Sequence, residues 1–414
     1  MADSTVRASG QAKPFAPLLR VGVICDFREE DWPSMELVAD MLMSCLQRDH
    51  SEAVDATRIQ PPMRMRFAKL RPDKNGHTAN STFHANGSRF NADRVLNRFW
   101  DYPRYLQSRQ TDFDLFHVID HSYAQVVHTL PPERTIVTCH DLDTFQCLLN
   151  PAKEPRSLPF KQMVRRTLTG FRKAARVMCD SEATRDQLVT SCLVDADRTV
   201  TIPNGVHETC SPNPDASADE EADHLLGSRD SIDILHVGST IPRKRIDILL
   251  RVFAALRQQF PSARLLRVGG KFTIEQSRLM NHLRVGEAIV QLPHLDRRTL
   301  AAIYRRASIV LLPSEREGFG LPVVEAMACG TPVVASDLPV LREVGGGAAA
   351  YCPMGDIDAW VETVASLLRS GEANPDTWAQ RCATGLAQAS KFSWAEYARK
   401  TVEVYRSVLA EAKG

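Results

Sequence analysis

The sequence predicts an α/β protein made of two doubly wound units, one in each half of the chain. Three observations carry this. Short apolar runs with β-branched members recur along the 414 residues and stop at glycine, proline or polar clusters, as strands buried on both faces do. Segments with helical apolar spacing separate these runs, so strands alternate with helices as a parallel sheet requires. Between Ser211 and Asp230 the chain turns acidic and rich in small polar residues, a composition suited to a solvent-exposed connector between the halves.

Composition narrows the classes. A chain of 414 residues is long enough for two domains, and 43% hydrophobic with 24% charged residues is ordinary for a globular protein. A net charge of +1 argues against nucleic-acid binding as the main role. The 10 cysteines contain no Cys-x2-Cys pair, which fits a reduced, cytoplasmic chain better than a disulfide framework or a zinc site. No run of 18 apolar residues exists to span a membrane. Residues 1–17 lack an apolar core and read as a loose tail rather than a signal peptide.

The first domain is expected over 18–206. Leu18 to Cys25 is its opening strand, and Ser34 to Leu46 a helix with Ser34 as cap. The loop between them, Asp26 to Pro33, is charged. Ser51 to Asn97 is polar, with turn signals at Pro61-Pro62 and Asn75-Gly76, and reads as one or two short hairpin strands with loops. Phe113 to Ile119 and Arg134 to Cys139 are the next strands. The second ends in His140-Asp141, at the carboxyl end of a parallel strand, where open α/β sheets place ligands. Residues 160–176 read as a basic amphipathic helix, with Lys161, Arg165, Arg166, Arg172, Lys173 and Arg176 interleaved with Phe160, Val164, Leu168 and Phe171; its two readings are a contact to an anionic membrane surface and a solvated face. Ala175 to Cys179 is a strand, with Asp180 or Ser181 capping the next helix, and Thr199 to Ile202 closes the domain.

A connector is expected over 207–231, a second domain over 232–391 and a closing segment over 392–414. Ile232 to Val237 opens the second domain, and Gly238 with Arg243, Lys244 and Arg245 forms a phosphate grip at the start of the next helix. Leu265 to Lys271 and Ala288 to His294 are further strands. Gly269-Gly270 is not a Gly-x-Gly-x-x-Gly fingerprint, which disfavours a nicotinamide enzyme. Ser308 to Leu312 leads into Gly318 and Gly320, which leave the backbone bare on either side of Phe319. Pro322 suits the first helical position and Gly330 the position past the end, so a helix of about two turns points its N–H groups at the glycine turn as an anion site. Glu317 precedes the glycines and Glu325 is expected in the first helical turn, so both carboxylates flank the site and suit sugar hydroxyls.

Glu317 and Glu325 in Glu-x7-Glu spacing around Gly-Phe-Gly-Leu-Pro, followed by Glu-Ala-Met-Ala-Cys-Gly-Thr-Pro-Val-Val-Ala-Ser, resemble the retaining nucleotide-sugar glycosyltransferases of family 4, glycosyltransferase group 1. The resemblance runs from Val21 onward and is strongest in the second domain. It implies the GT-B fold, two Rossmann-like domains facing each other across a cleft. It also implies that Glu317 holds donor sugar hydroxyls, Glu325 the ribose hydroxyls, Lys244 the diphosphate with Arg243 assisting, and His140 the sugar near the anomeric carbon. Gly318, Phe319, Gly320, Leu321 and His294 belong to the donor site by the same likeness. Ser239 stands where the family often has arginine, and loop 26–33 lacks the paired glycines many members carry. Pro203 to Val206 resembles the interdomain hinge, and the helix ending at Ala412 the one that packs back on the first domain.

The implied reaction moves a hexose-type sugar from a UDP- or GDP-linked donor to a hydroxyl of a growing glycan, a lipid-linked saccharide or a small molecule. It needs no metal and no cofactor. Other readings stay open: Cys139, His140 and Asp141 as nucleophile, base and orienter; Asp141-Leu142-Asp143 as a metal-binding Asp-x-Asp; His140 as local backbone support; and, for the whole chain, a sugar-nucleotide epimerase or a catalytically silent nucleotide-sugar-binding protein.

Overall fold

A computed structural model describes residues 18–68, 87–227, 231–293 and 295–413. Two six-stranded sheets organise it. The first joins β1 (Leu19–Ile24), β2 (Val54–Ile59), β3 (Leu115–Val118), β4 (Thr135–Cys139), β5 (Arg176–Cys179) and β6 (Thr199–Thr201) in the order β2-β1-β3-β4-β5-β6. The second joins β7 (Asp233–Val237), β8 (Arg264–Val268), β9 (Ile289–Gln291), β10 (Ile309–Leu312), β11 (Val333–Ser336) and β12 (Ala350–Cys352) in the order β12-β11-β10-β7-β8-β9. Neighbouring strands are parallel in both. Alternate residues feed opposite cores: Phe116 and Val118 face one layer of the first sheet and Leu115 the other, while Val310 and Ile309 divide likewise in the second. Both faces are covered, which is why the central strands read as unbroken apolar runs.

Several expectations change. Helix Pro33–Asp49 begins at Pro33, with Trp32 at the cap position, so Ser34 is inside it. The stretch read as hairpins, Ser51 to Asn97, holds β2, parallel to β1, and helix Gly87–Leu96; a π-turn over Asn97–Asp101 and helix Tyr102–Gln107 follow it. A parallel edge strand buries only Val54 and Ile59 fully, so its sequence looks like a loop. The Asn75-Gly76 turn and the tail 1–17 lie outside the described residues.

The connector 207–231 also contains structure, helix Ala216–Leu226, capped by the Asp215 carboxylate. Ala218, Ala222 and Leu226 recur every fourth residue and are buried beside the Arg297–Arg306 helix. Asp215, Asp219 and Asp223 recur likewise and pair with Arg298, Arg305 and Arg306. Acidic composition concealed a docked helix whose charges have partners.

The last helix, Trp394–Glu411, leaves the second sheet's half and lies in the core of the first with Val21, Leu42 and Leu115. Its Tyr405 hydroxyl meets His117 Nδ1 at 2.8 Å, and His117 Nε2 meets Thr138 Oγ1 at 2.7 Å. Burial pushes the His117 ring down to about 3, so it is a neutral part of the core. Beside this helix, Val206 N–H donates to Phe392 O at 3.2 Å. Among the described residues no helix is long and apolar enough to cross a membrane.

Candidate active site

The carboxyl ends of both sheets meet, and the glycine turn of the second reaches into the first. Gly318 O accepts from Ser181 Oγ at 2.9 Å and from Thr184 Oγ1 at 3.1 Å. A Cβ added at Gly318 would stand 1.6 Å from the His140 carbonyl oxygen. No side chain fits there. The Glu343 carboxylate accepts from the N–H groups of Glu182 and Ala183, satisfying the start of helix Glu182–Thr190 from the other domain. We expect Gly318→Ala to hold the two halves apart. Small-angle scattering would show a larger radius of gyration than for the wild type, and an unchanged radius would contradict this account.

Gly320, at φ 98°, caps helix Leu321–Ala328, and a Cβ there would strike Leu341. Pro322 is inside the first turn, as its ring requires. Glu325 is the fifth residue of this helix rather than part of its first turn, and Tyr304 donates its hydroxyl to Glu325 Oε2 at 2.9 Å. Burial raises the Glu325 carboxyl, with the Tyr304 hydroxyl offsetting part of the rise. Phe319, expected at the ligand, points inward and stacks edge-on against Phe392 at 5.5 Å. An aromatic between two glycines is better buried than exposed, and here it anchors the turn. Leu321 packs against both halves.

Glu317, Lys244 and Arg243 come together as expected. Lys244 Nζ donates to Glu317 Oε1 at 2.6 Å, Ser314 Oγ donates to the same oxygen at 2.6 Å, and Arg243 Nη1 reaches Glu317 Oε2 at 3.3 Å. Burial alone would raise the Glu317 carboxyl, but Lys244 and Arg243 outweigh it and hold the group below the usual glutamate range. Arg243 also spans the cleft, with Nη2 3.5 Å from Asp141 Oδ2 and Nε 2.7 Å from Asp143 Oδ2. Arg316 joins it at 3.3 Å from Asp143 Oδ1. The Asp-x-Asp pair therefore faces two guanidinium groups. Arg245 turns to Asp247 at 2.8 Å, which leaves Arg243 to assist Lys244. Ser239 is exposed in the loop after β7, and His294 lies outside the described residues.

His140 is at the end of β4, 7% exposed. Its Nδ1 meets Asp180 Oδ2 at 2.6 Å and its Nε2 meets the Ile119 carbonyl oxygen at 2.7 Å. Both partners are acceptors, so both ring nitrogens carry hydrogen. Burial works against a charged ring, yet the Asp180 carboxylate prevails and raises His140 to about 10. His140 is thus a cation held by Asp180 and Ile119 in the first domain, with its backbone beside Gly318. Cys139 is fully buried, burial pushes its thiol up, and its Sγ is 3.2 Å from Asp141 O; it is no nucleophile for His140 to activate.

Sequence reasoning missed Asp180 as the partner of His140; of its two cap candidates, Asp180 and Ser181, the cap is Ser181. It also missed Asn204, which donates to Asp180 Oδ2 at 2.8 Å, and Ser314 and Tyr304, which hold the two glutamates. The usable signal was position, since Asp180 follows a parallel strand directly, as His140 does. Loop 26–33 is largely structural: Glu30 is 1% exposed and binds Arg98 Nε at 2.6 Å, Arg94 at 3.1 Å and the Tyr123 hydroxyl at 2.9 Å.

Comparison with known proteins agrees with this arrangement. The family model described as "Glycosyltransferase Family 4" matches residues 63–209, and that described as "Glycosyl transferases group 1" matches residues 218–381. O-antigen chain mannosyltransferase B of Escherichia coli is 28% identical over 309 residues, 73% of this chain and 78% of the relative. A D-inositol 3-phosphate glycosyltransferase of a Mycobacterium species is 35% identical over 212 residues, 49% of this chain and 46% of the relative, so the chain spans about half that protein's length. The structure of Anabaena HepE in complex with UDP and glucose superposes with a TM-score of 0.67 over 94% of this chain and 100% of that one, at 16% identity, a likeness of fold. With both halves matched and both sheets in the expected arrangement, the chain belongs to the group 1 and family 4 glycosyltransferases, enzymes of the GT-B fold.

Proposed function

We propose that this enzyme moves a hexose-type sugar from a UDP- or GDP-linked donor to a hydroxyl of a growing glycan or lipid-linked saccharide, retaining anomeric configuration and using no metal in the chemistry. The observation that carries the reading is the Lys244, Arg243 and Glu317 cluster at the Gly318 to Gly320 turn. As the glycosidic bond breaks, its electron pair leaves with the diphosphate, and Lys244, Arg243 and the helix N-terminus at Leu321 stabilise the growing charge. The acceptor oxygen bonds to the anomeric carbon on the same face, and its proton passes to the departing phosphate oxygen. Glu317 takes donor sugar hydroxyls once the diphosphate engages the cations, and Glu325, steadied by Tyr304, takes the ribose. The mannosyltransferase relative and the UDP complex of the structural neighbour support this choice of chemistry. Helix Leu158–Lys173 exposes Arg165, Arg166, Arg172 and Lys173 with Leu158 and Phe160, and we assign this face to anionic lipid where the acceptor is membrane-bound.

The test is thermal stabilisation across UDP-, GDP-, ADP- and dTDP-sugars without added metal. Saturation at 100 times the Kd is expected to stabilise the wild type by about 2.7 kcal/mol with one donor class, and Glu317→Ala to weaken the shift. No shift with any donor, checked by calorimetry, contradicts the reading. An epimerase would release altered sugar with no acceptor present, and product analysis separates it.

A further inference from the structure

The first domain holds a second polar cluster that the donor reading does not use, at the ends of β1, β3 and β4. His121 follows β3 and is 3% exposed, packed between Phe145 at 5.6 Å and Phe171 at 6.4 Å. Neither ring nitrogen has a hydrogen-bond partner. A buried imidazole with both nitrogens unmet is costly unless a ligand completes it. Two carboxylates flank the ring, Asp120 Oδ1 3.3 Å from Nδ1 and Asp141 Oδ1 3.7 Å from Nε2.

Each neighbour is held in place. Asp120 accepts from Ser122 N at 2.8 Å and Ser122 Oγ at 2.5 Å. Behind it Asp26 is 6% exposed with both oxygens unpartnered. Burial and the Asp120 charge push the Asp26 carboxyl up; burial opposes the Asp120 charge too, but His121, His140 and the Ser122 hydrogen bonds outweigh it and hold Asp120 low. Asp141 Oδ1 accepts from Asp143 N at 2.9 Å, and Asp141 Oδ2 faces Arg243 of the donor grip. The gap between His121 Nε2 and Asp141 Oδ1 therefore adjoins the Arg243 and Lys244 grip from the first domain.

A separation of 3.7 Å is too long for a direct hydrogen bond. An oxygen about 2.8 Å from each atom, off the line between them, would bridge them. That oxygen must donate to a carboxylate and either accept from or donate to an imidazole. Asp141 and Asp143 already have Arg243 and Arg316 as counter-charges, so the gap calls for no further charge, and a neutral hydroxyl serves both sides. We infer that His121 and Asp141 form the acceptor subsite and bind a hydroxyl of a neutral sugar or cyclitol, holding it without taking its proton, with Asp120 and Asp26 orienting the ring. This rests on the transferase reading above.

The experiment follows release of nucleoside diphosphate from the donor selected by thermal shift. Methyl α-D-mannopyranoside, methyl α-D-glucopyranoside and myo-inositol serve as acceptor probes. The quantity read is acceleration by the probe relative to release to water in the same protein. At least one probe is expected to accelerate the wild type. In His121→Ala the acceleration ratio is expected to fall at least tenfold, with the probe KM raised, and His121→Gln, whose amide can donate or accept, is expected to recover part of it. The subsite is overturned if no probe accelerates the wild type, if His121→Ala keeps the wild-type ratio, or if His121→Gln is as impaired as His121→Ala. Failure of the transferase reading shows separately, as a wild type that no nucleotide sugar stabilises.

Discussion

Lys244→Ala is expected to lower the transfer rate about 100- to 1000-fold, the loss of some 3 to 4 kcal/mol typical when one preorganised donor to a developing negative charge is removed. Lys244 is 9% exposed and Gly238 lies against its stem, so its charge is held at the mouth of the glycine turn. The remaining donors are weaker substitutes. Arg243 is divided among the Arg316 carbonyl, Glu317 and Asp143, and a helix N-terminus supplies only about half a charge. Lys244→Arg keeps the charge but spreads it over a planar fork, and is expected to recover part of the rate. Steady-state kinetics on the selected donor decide this, and a loss below tenfold would remove Lys244 from the diphosphate site.

The same substitution has an acid signature. Folded Glu317 is held below the usual carboxylate range, so its pairing stabilises fully above the ordinary glutamate value of about 4.3. That contribution is lost as pH falls through the lower folded value. Without Lys244 the folded value rises, and the midpoint of acid unfolding is expected at higher pH than in the wild type.

Asp180→Asn is expected to cost on the order of 3 to 5 kcal/mol of stability, because it strips a buried imidazolium of its counter-charge. The pair is made by Nδ1 of His140 at 2.6 Å, while Nε2 is committed to Ile119 O. The folded His140 value, about 10, is above that of an unfolded histidine, near 6.5. Its contribution is therefore complete below about pH 6.5 and lost as pH rises through about 10. Thermal unfolding of the wild type should weaken across that window, and in Asp180→Asn the slope should vanish. Ring NMR signals of His140 give a direct check: a wild-type ring that titrates below pH 7 contradicts the buried ion pair. The fixed charge also bears on catalysis, since an imidazolium is a hydrogen-bond donor and cannot act as a general base at neutral pH.

Much of the donor side was legible before any coordinates because it is contiguous in the chain. Strand β10, the turn at Gly318 to Gly320 and helix Leu321–Ala328 occupy one stretch, and close approach of a backbone to another chain segment demands glycine wherever it occurs. Lys244 was legible for a similar reason, standing just after a strand and before a helix. The acceptor side was not. His140, Asp180 and Asn204 follow the ends of β4, β5 and β6, up to 64 residues apart, and Asp26, His121 and Asp141 follow β1, β3 and β4.

By itself the sequence determined the alternation of buried strands and helices, the glycine turn and the basic residues that follow β7, because each follows from residue type and local spacing; that Lys244 and Arg243 pair with Glu317, 73 and 74 residues away, is a tertiary contact. Only the tertiary structure decided that Phe319 turns into the core, that the acidic connector docks a helix, that Arg243 crosses to Asp141 and Asp143, and that His140 is charged. Those outcomes depend on which groups meet after the two sheets close on each other. The protonation of a buried ring or carboxyl is set by the partners within a few ångströms, and no spacing along the chain encodes them.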